Sequence, residues 1–334
     1  MDALQQWGLT VILALQQSLP GLPGVMRAFT FLGQEEFFLF VMPALYWCVQ
    51  TDLGARLVVM IVLSNGLNGP LKLAFALPRP YWVDARVTAF AAEPNYGLPS
   101  GHAMNAVAVW GWLAAQLKRP WAWAAAVVIV ALISLSRVYL GVHFPTDIFS
   151  GWLFGVIVLG AFLAGEKPLT ASLKRLNLWM QIALAFAVSM LYLALTVGLL
   201  AAVPAPAALA DWERTAAQAQ AAPPDAGERA IDPRGLADHV TAAGLLFGVG
   251  AGLALMSRGA RFEAGGPLGQ RVARFVLGVA GIAVVFFGLR LLAAGDDAIG
   301  YLIRYLRYAL AVVWALYVAP LIFLRAGLAQ PRSE

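Results

Sequence analysis

Lys72, Arg79, His102, Arg137, His143 and Asp147 stand at the ends of long apolar runs, where a lipid-facing position would exclude them. Lys72 and Arg79 are seven positions apart, about two helical turns, so one face can carry both, although Pro78 and Pro80 loosen the second turn. Pro99-Ser100-Gly101-His102 reads as a helix start, with Pro99 at the first helical position and backbone N–H groups that Gly101 lets an anion approach. In Ser136-Arg137-x5-His143-x3-Asp147, Pro145 opens a further helix. His143 then precedes a helix N-terminus and Asp147 lies in its first turn.

Three cations and two helix N-termini in one pocket call for a dianionic group. Phosphate suits it best, because an arginine fork binds its oxygens in pairs. The histidines add chemistry to binding. Neutral His143 can attack phosphorus while Asp147 accepts its other ring proton and supports the charge that develops. Protonated His102 can donate to the leaving oxygen, and water can then hydrolyse the phosphohistidine. The sequence offers no carboxylate cluster for Mg²⁺ or Zn²⁺, so the expectation is a site with no metal and no cofactor.

The rest of the chain must be a scaffold that works in lipid. Of 334 residues, 61% are hydrophobic and 12% charged, about half the charged share of a soluble domain. Several windows exceed about 18 residues without a charge, which predicts an all-α polytopic membrane protein with about nine spans. The roughly ten-residue alternating segments of an outer-membrane barrel are absent. Residues 1–35 read as interfacial or re-entrant helices, 36–203 as a six-span core, 204–236 as a mobile Ala/Pro-rich loop and 237–334 as a three-span extension. No signal peptide is expected from the Met-Asp start, and the single Cys48 provides neither a disulfide nor a thiolate metal site.

Alternate loops differ in charge. One side gathers Arg56, Lys118, Arg119, Lys167, Lys174, Arg175, Arg258, Arg261, Arg271, Arg274 and Arg325, which places it in the cytoplasm together with the C-terminus. The other side holds the Lys72–Pro99 loop, the His143 loop and 204–236, so the pocket faces outward. The net charge of +5 suits basic loops at a membrane surface, and no basic-aromatic pattern suggests nucleic acid.

Lys72-x6-Arg79-Pro80, Pro99-Ser100-Gly101-His102 and Ser136-Arg137-x5-His143-x3-Asp147 resemble, in order and spacing, the three signatures of the type-2 phosphatidic acid phosphatase superfamily. The resemblance covers residues 36–165. It implies that His143 is the nucleophile, Asp147 its partner and His102 the acid-base residue. It further implies that Lys72, Arg79 and Arg137 bind phosphate with help from Ser100 and Gly101. Arg79-Pro80-Tyr81-Trp82 and the Ala103-Met104 that follow His102 also look like the glucose-6-phosphatase branch.

Other residues receive plainer readings. His239 is structural or interfacial, Tyr81 and Trp82 are interface aromatics, and Asp84, Arg86 and Glu93 are loop charges. The expectation is an integral membrane phosphatase, in a bacterial inner or plasma membrane, acting on a lipid phosphate monoester or a polyprenyl pyrophosphate. A sugar phosphate such as glucose 6-phosphate is the alternative substrate, phosphotransfer the alternative reaction, and a phosphate-lipid transporter the alternative outside enzymes. A transporter would line a path through the bundle with its cations, whereas these gather at one side.

Overall fold

The computed structural model describes residues 3–219, 231–292 and 295–332. The helices are α1 (Ala3–Ser18), α2 (Pro23–Phe31), α3 (Glu35–Cys48), α4 (Thr51–Phe75), α5 (Pro80–Val83), α6 (Gly101–Leu117) and α7 (Pro120–Tyr139). They continue with α8 (Pro145–Leu173), α9 (Leu178–Ala202), α10 (Leu209–Gln218), α11 (Ala237–Gly259), α12 (Leu268–Arg290), α13 (Ala298–Val313) and α14 (Ala319–Arg325). Among the described residues there is no β-strand, only an isolated bridge between Phe262 and Pro331. Among the described residues, seven helices are long and apolar enough to cross a membrane, or eight if α1 and α2, bent by 120°, form one span. Of the about nine expected spans, α3 and α6 are helical but shorter than that length. The chain is an all-helical, multi-pass membrane protein.

The chain divides into two compact units. The first comprises Met1–Phe37, Leu67–Leu163 and Thr196–Gly235 and contains every residue singled out above for phosphate chemistry. Its core gathers Leu9 and Ile12 of α1, Tyr81 and Trp82 of α5, and Tyr139, Leu140, Val142 and Phe144 around the turn between α7 and α8. Gly151 and Gly155 put a small-residue step on α8. A Cβ on Gly151 would lie 2.7 Å from the Ser100 carbonyl oxygen, and one on Gly155 2.8 Å from that of Met104, so α8 lies backbone to backbone against the start of α6.

Segment 204–236 is not simply a loop. Leu209, Trp212 and Ala216 recur at helical spacing, and α10 sets this stripe against α5, with the Trp212 and Trp82 rings 6.1 Å apart. Its high alanine and proline content hid a short amphipathic helix. Residues 220–230 of the expected mobile loop lie outside the described residues.

The second unit comprises Phe38–Gly66, Ala164–Leu195 and Leu236–Glu334. A π-turn at Trp314–Val318 frees carbonyls that a regular helix would use. The Trp47 indole donates to Ala315 O at 2.9 Å and the Tyr46 hydroxyl to Leu316 O at 2.9 Å. Arg274, read above as a loop cation, lies on α12, buried, and donates to the carbonyls of Glu263, Ala264 and Gly265. The His239 ring meets the Tyr192 hydroxyl at 3.1 Å, a structural contact.

Candidate active site

Each expected residue sits where a helix starts, ends or turns. Ser100 is the N-cap of α6, its hydroxyl accepting from Ala103 N at 3.4 Å, so the first N–H groups of α6, from Gly101 onward, point out of the helix end. The Ser100 N–H donates to Asp147 O at 2.9 Å, which ties that helix end to the start of α8. Asp147 occupies the third position of α8. Its Oδ2 accepts from the Phe144 N–H at 2.9 Å, half of a capping box, and faces His143 Nδ1 at 3.2 Å. The same carboxylate therefore caps the helix and orients the imidazole. Gly141, at φ +75°, turns the chain between Arg137 and His143 in a conformation that side chains rarely adopt.

Arg79 fixes the other ring nitrogen. Its Nη1 lies 3.1 Å from His143 Nε2 and donates to Val142 O at 2.9 Å. A guanidinium has only donors, so Nε2 presents its lone pair and Nδ1 carries the proton directed at Asp147. Burial, then the charges of Arg79, Lys72 and Arg137, depress His143 well below the ordinary imidazole value of 6.5. The ring is therefore neutral at pH 7, with its unprotonated nitrogen accepting from an arginine.

Lys72 and Arg79 converge, but not on one helix face as their spacing suggested. Helix α4 ends at Phe75, and Ala76 has φ +48°. A shared set of acceptors joins them instead. Lys72 Nζ donates to Asn95 Oδ1 at 3.0 Å and to Tyr96 O; Arg79 Nη2 donates to the same two oxygens at 2.6 and 3.1 Å. Arg137 donates to Thr30 Oγ1 on α2 at 2.8 Å and pairs with Glu93. His102, at the first turn of α6, packs beside Gly33, and among the described residues its Nε2 has no hydrogen-bond partner.

Glu93 and Asn95 were missed from the sequence. Glu93 looked like a loop charge, yet its carboxylate pairs with Arg137 and lies 3.9 Å from Arg79. Burial raises its carboxyl, but Arg137, Arg79, His102 and Lys72 outweigh that and hold it at about 2. Its place six residues before Pro99, in the loop that delivers α6, was the available signal. Asp84 did behave as a loop charge, held by Arg86 at 2.6 Å. Gln16 on α1, also missed, bonds Thr88 and Tyr139 O and so steadies the loop around the site.

Taken together, the first unit holds a neutral imidazole with an oriented lone pair, a buried cluster of cations around it and a second imidazole with a free nitrogen. Such a constellation can bind an anion and accept a phosphoryl group. Residues 53–170 match the PAP2 superfamily, and residues 240–331 match the transmembrane extension of PAP2 superfamily phosphatases. Lipid phosphate phosphatase delta of Arabidopsis thaliana is 30% identical over 50% of this chain, which spans 45% of that relative's length. The undecaprenyl-diphosphatase of Sulfolobus acidocaldarius is 30% identical over 47% of this chain and 75% of its own. Glucose-6-phosphatase catalytic subunit 1 of Haplochromis nubilus is 27% identical over 76% of this chain and 77% of its own.

Proposed function

The chain belongs to the PAP2 superfamily, and we propose that it is a membrane phosphatase that hydrolyses a lipid phosphate monoester or pyrophosphate through a phosphohistidine. The observation that carries this reading is His143, held between Asp147 at Nδ1 and Arg79 at Nε2. In the first step the Nε2 lone pair attacks phosphorus and the phosphorus–oxygen bond to the leaving group breaks. His102, which takes up a proton once the dianionic phosphate is bound beside it, gives that proton to the leaving oxygen. The phosphorylated ring is cationic, and Asp147 supports that charge through Nδ1. In the second step His102 takes a proton from water, the oxygen attacks phosphorus, and the Nε2–phosphorus bond breaks to return neutral His143. Lys72, Arg79 and Arg137, with the N-terminus of α6 at Ser100 and Gly101, balance the phosphoryl oxygens throughout. The donor set is cationic and needs no metal for that task.

The charge asymmetry of the loops supports an outward-facing site with the C-terminus in the cytoplasm. A lipid substrate agrees with a membrane-embedded scaffold and with the activities for which the Arabidopsis and Sulfolobus relatives are named. A sugar phosphate is the second reading, favoured by the glucose-6-phosphatase similarity, which extends over 76% of this chain. The test is phosphate release in EDTA by wild type and His143→Ala. Phosphatidic acid, a polyprenyl pyrophosphate and glucose 6-phosphate are offered in turn. Release by wild type alone supports the reading, and the preferred substrate decides between lipid and sugar. Equal release by His143→Ala removes His143 as the nucleophile, and loss of wild-type release in EDTA removes the metal-free mechanism.

A further inference from the structure

Arg79 is saturated. A guanidinium carries five N–H donors, and Arg79 directs five bonds at protein groups: Asn95 O, Asn95 Oδ1, Tyr96 O, Val142 O and the His143 ring. Three of these partners belong to residues 95–96. Lys72 spends two donors on the same two residues. Arg137 gives one side of its fork to Glu93. The segment from Glu93 to Tyr96 thus supplies an acceptor to each of the three cations that the reading above assigns to phosphate. A phosphate cannot enter while Arg79 has no free N–H and a carboxylate already occupies Arg137.

Exposure gives the direction of approach. Arg79 and Arg137 are each 1% exposed, whereas the Glu93 side chain is 25% exposed. The carboxylate is the outer member of the cluster, and an arriving anion meets it before it meets the arginines. Two anions cannot share Arg137 and Arg79 without like-charge repulsion in a buried setting, so one must leave.

We propose that Glu93 is a resident anion: its carboxylate holds the place of the substrate phosphate at Arg137 and Arg79, and the 93–96 segment swings away when phosphate binds. This rests on the phosphate-site reading. Glu93 is a positioning residue that keeps buried cations paired between turnovers, and its displacement sets the affinity for every phosphate that enters. Phosphate arrives by exchange of one anion for another, so the cations are never left bare.

The experiment uses the full chain in detergent, with inorganic phosphate as the probe and sulfate and chloride at matched ionic strength as controls. Wild type, Glu93→Gln and Glu93→Asp are melted across a phosphate titration. Glu93→Gln should melt below wild type without phosphate. It should be restored by phosphate at a half-effect concentration about tenfold lower than wild type requires, and Glu93→Asp should fall nearer wild type. A Glu93→Gln variant that binds phosphate no more tightly than wild type overturns the inference. If that variant does not fold, hydrogen exchange on wild type decides: phosphate should speed exchange across 94–97 and slow it across 101–103. Slower or unchanged exchange across 94–97 overturns the inference. The two failures are separable. Phosphate with no effect on wild type or Glu93→Gln overturns both the inference and the phosphate site, whereas binding to wild type that Arg79→Ala abolishes, without tightening in Glu93→Gln, overturns the inference alone.

Discussion

Two opposed contacts define the His143 ring, and each makes a separable demand. In the proposed mechanism Asp147 at Nδ1 fixes the tautomer and supports the cation formed on phosphorylation, so its effect would belong to the transition state. Asp147→Asn should lower kcat and kcat/KM together by well over tenfold with KM little changed. A raised KM with normal kcat would assign Asp147 to substrate binding instead. Arg79 at Nε2, with Lys72 and Arg137 beyond, keeps the ring neutral. Because His143 titrates below 6.5, the acid limb of kcat/KM should have its midpoint below 6.5, with no loss of rate on passing from pH 7 to 6.5. An acid limb centred at or above 7 would contradict this assignment. His102→Ala should cost about 10²–10⁴-fold in kcat, read most clearly on substrates with poor leaving groups. At this scale the sequence was informative wherever a residue type is rare in lipid. Lys72, Arg79, Arg137, His102, His143 and Asp147 were conspicuous for that reason, and the structure draws all but His102 into one bonded network. Glu93 and Asn95 were not conspicuous, because an acid or an amide in a polar loop is ordinary until the fold turns it inward.

Helix ends do the positioning, and the α6–α8 contact is the critical one. Valine at Gly151 would drive a side chain into the Ser100 carbonyl and Ala103 Cβ, at 2.7 and 2.9 Å from Cβ alone. Gly160, on the same helix, has nothing within 4 Å of its Cβ position. Gly151→Val should therefore cost about 1–3 kcal/mol in stability and most of the activity, while Gly160→Val should keep both. Melting curves and phosphate release on the two variants check this; equal behaviour would mean that the close approach is not required. The N-terminal pair acts on the site as well, since Thr30 on α2 accepts from Arg137 and Gln16 on α1 holds the loops at Thr88 and Tyr139. The sequence predicted helices there but could not say what they touched, because contacts across 107 and 123 positions leave no local pattern. Helix α10 was missed for a related reason. The helix is only ten residues long, and its stripe of Leu209, Trp212 and Ala216 becomes meaningful when Trp82 is there to receive it.

At the scale of the chain, the membrane decides which face of the site meets substrate. Hydropathy made the helices legible, while counting Arg274 with the loop charges missed that it is buried on α12. Composition along the second unit gave no role for its last helices, which match the transmembrane extension of PAP2 superfamily phosphatases. Orientation rests on loop charge and can be tested within the first unit, using both ends of α6. That helix is 17 residues long, about 25 Å at 1.5 Å per residue, and the loop-charge reading expects its two ends on different sides of the hydrocarbon. Cys48 is the sole native cysteine, and Cys48→Ala provides a background without thiols. In it, Arg86→Cys, exposed in the loop that leads to α6, and Lys118→Cys, at the end of α6, report the two sides. A membrane-impermeant maleimide added to intact cells should label Arg86→Cys and leave Lys118→Cys unlabelled until the membrane is opened. The reverse pattern would put the site in the cytoplasm, and the proposed phosphate substrate would then have to be supplied there.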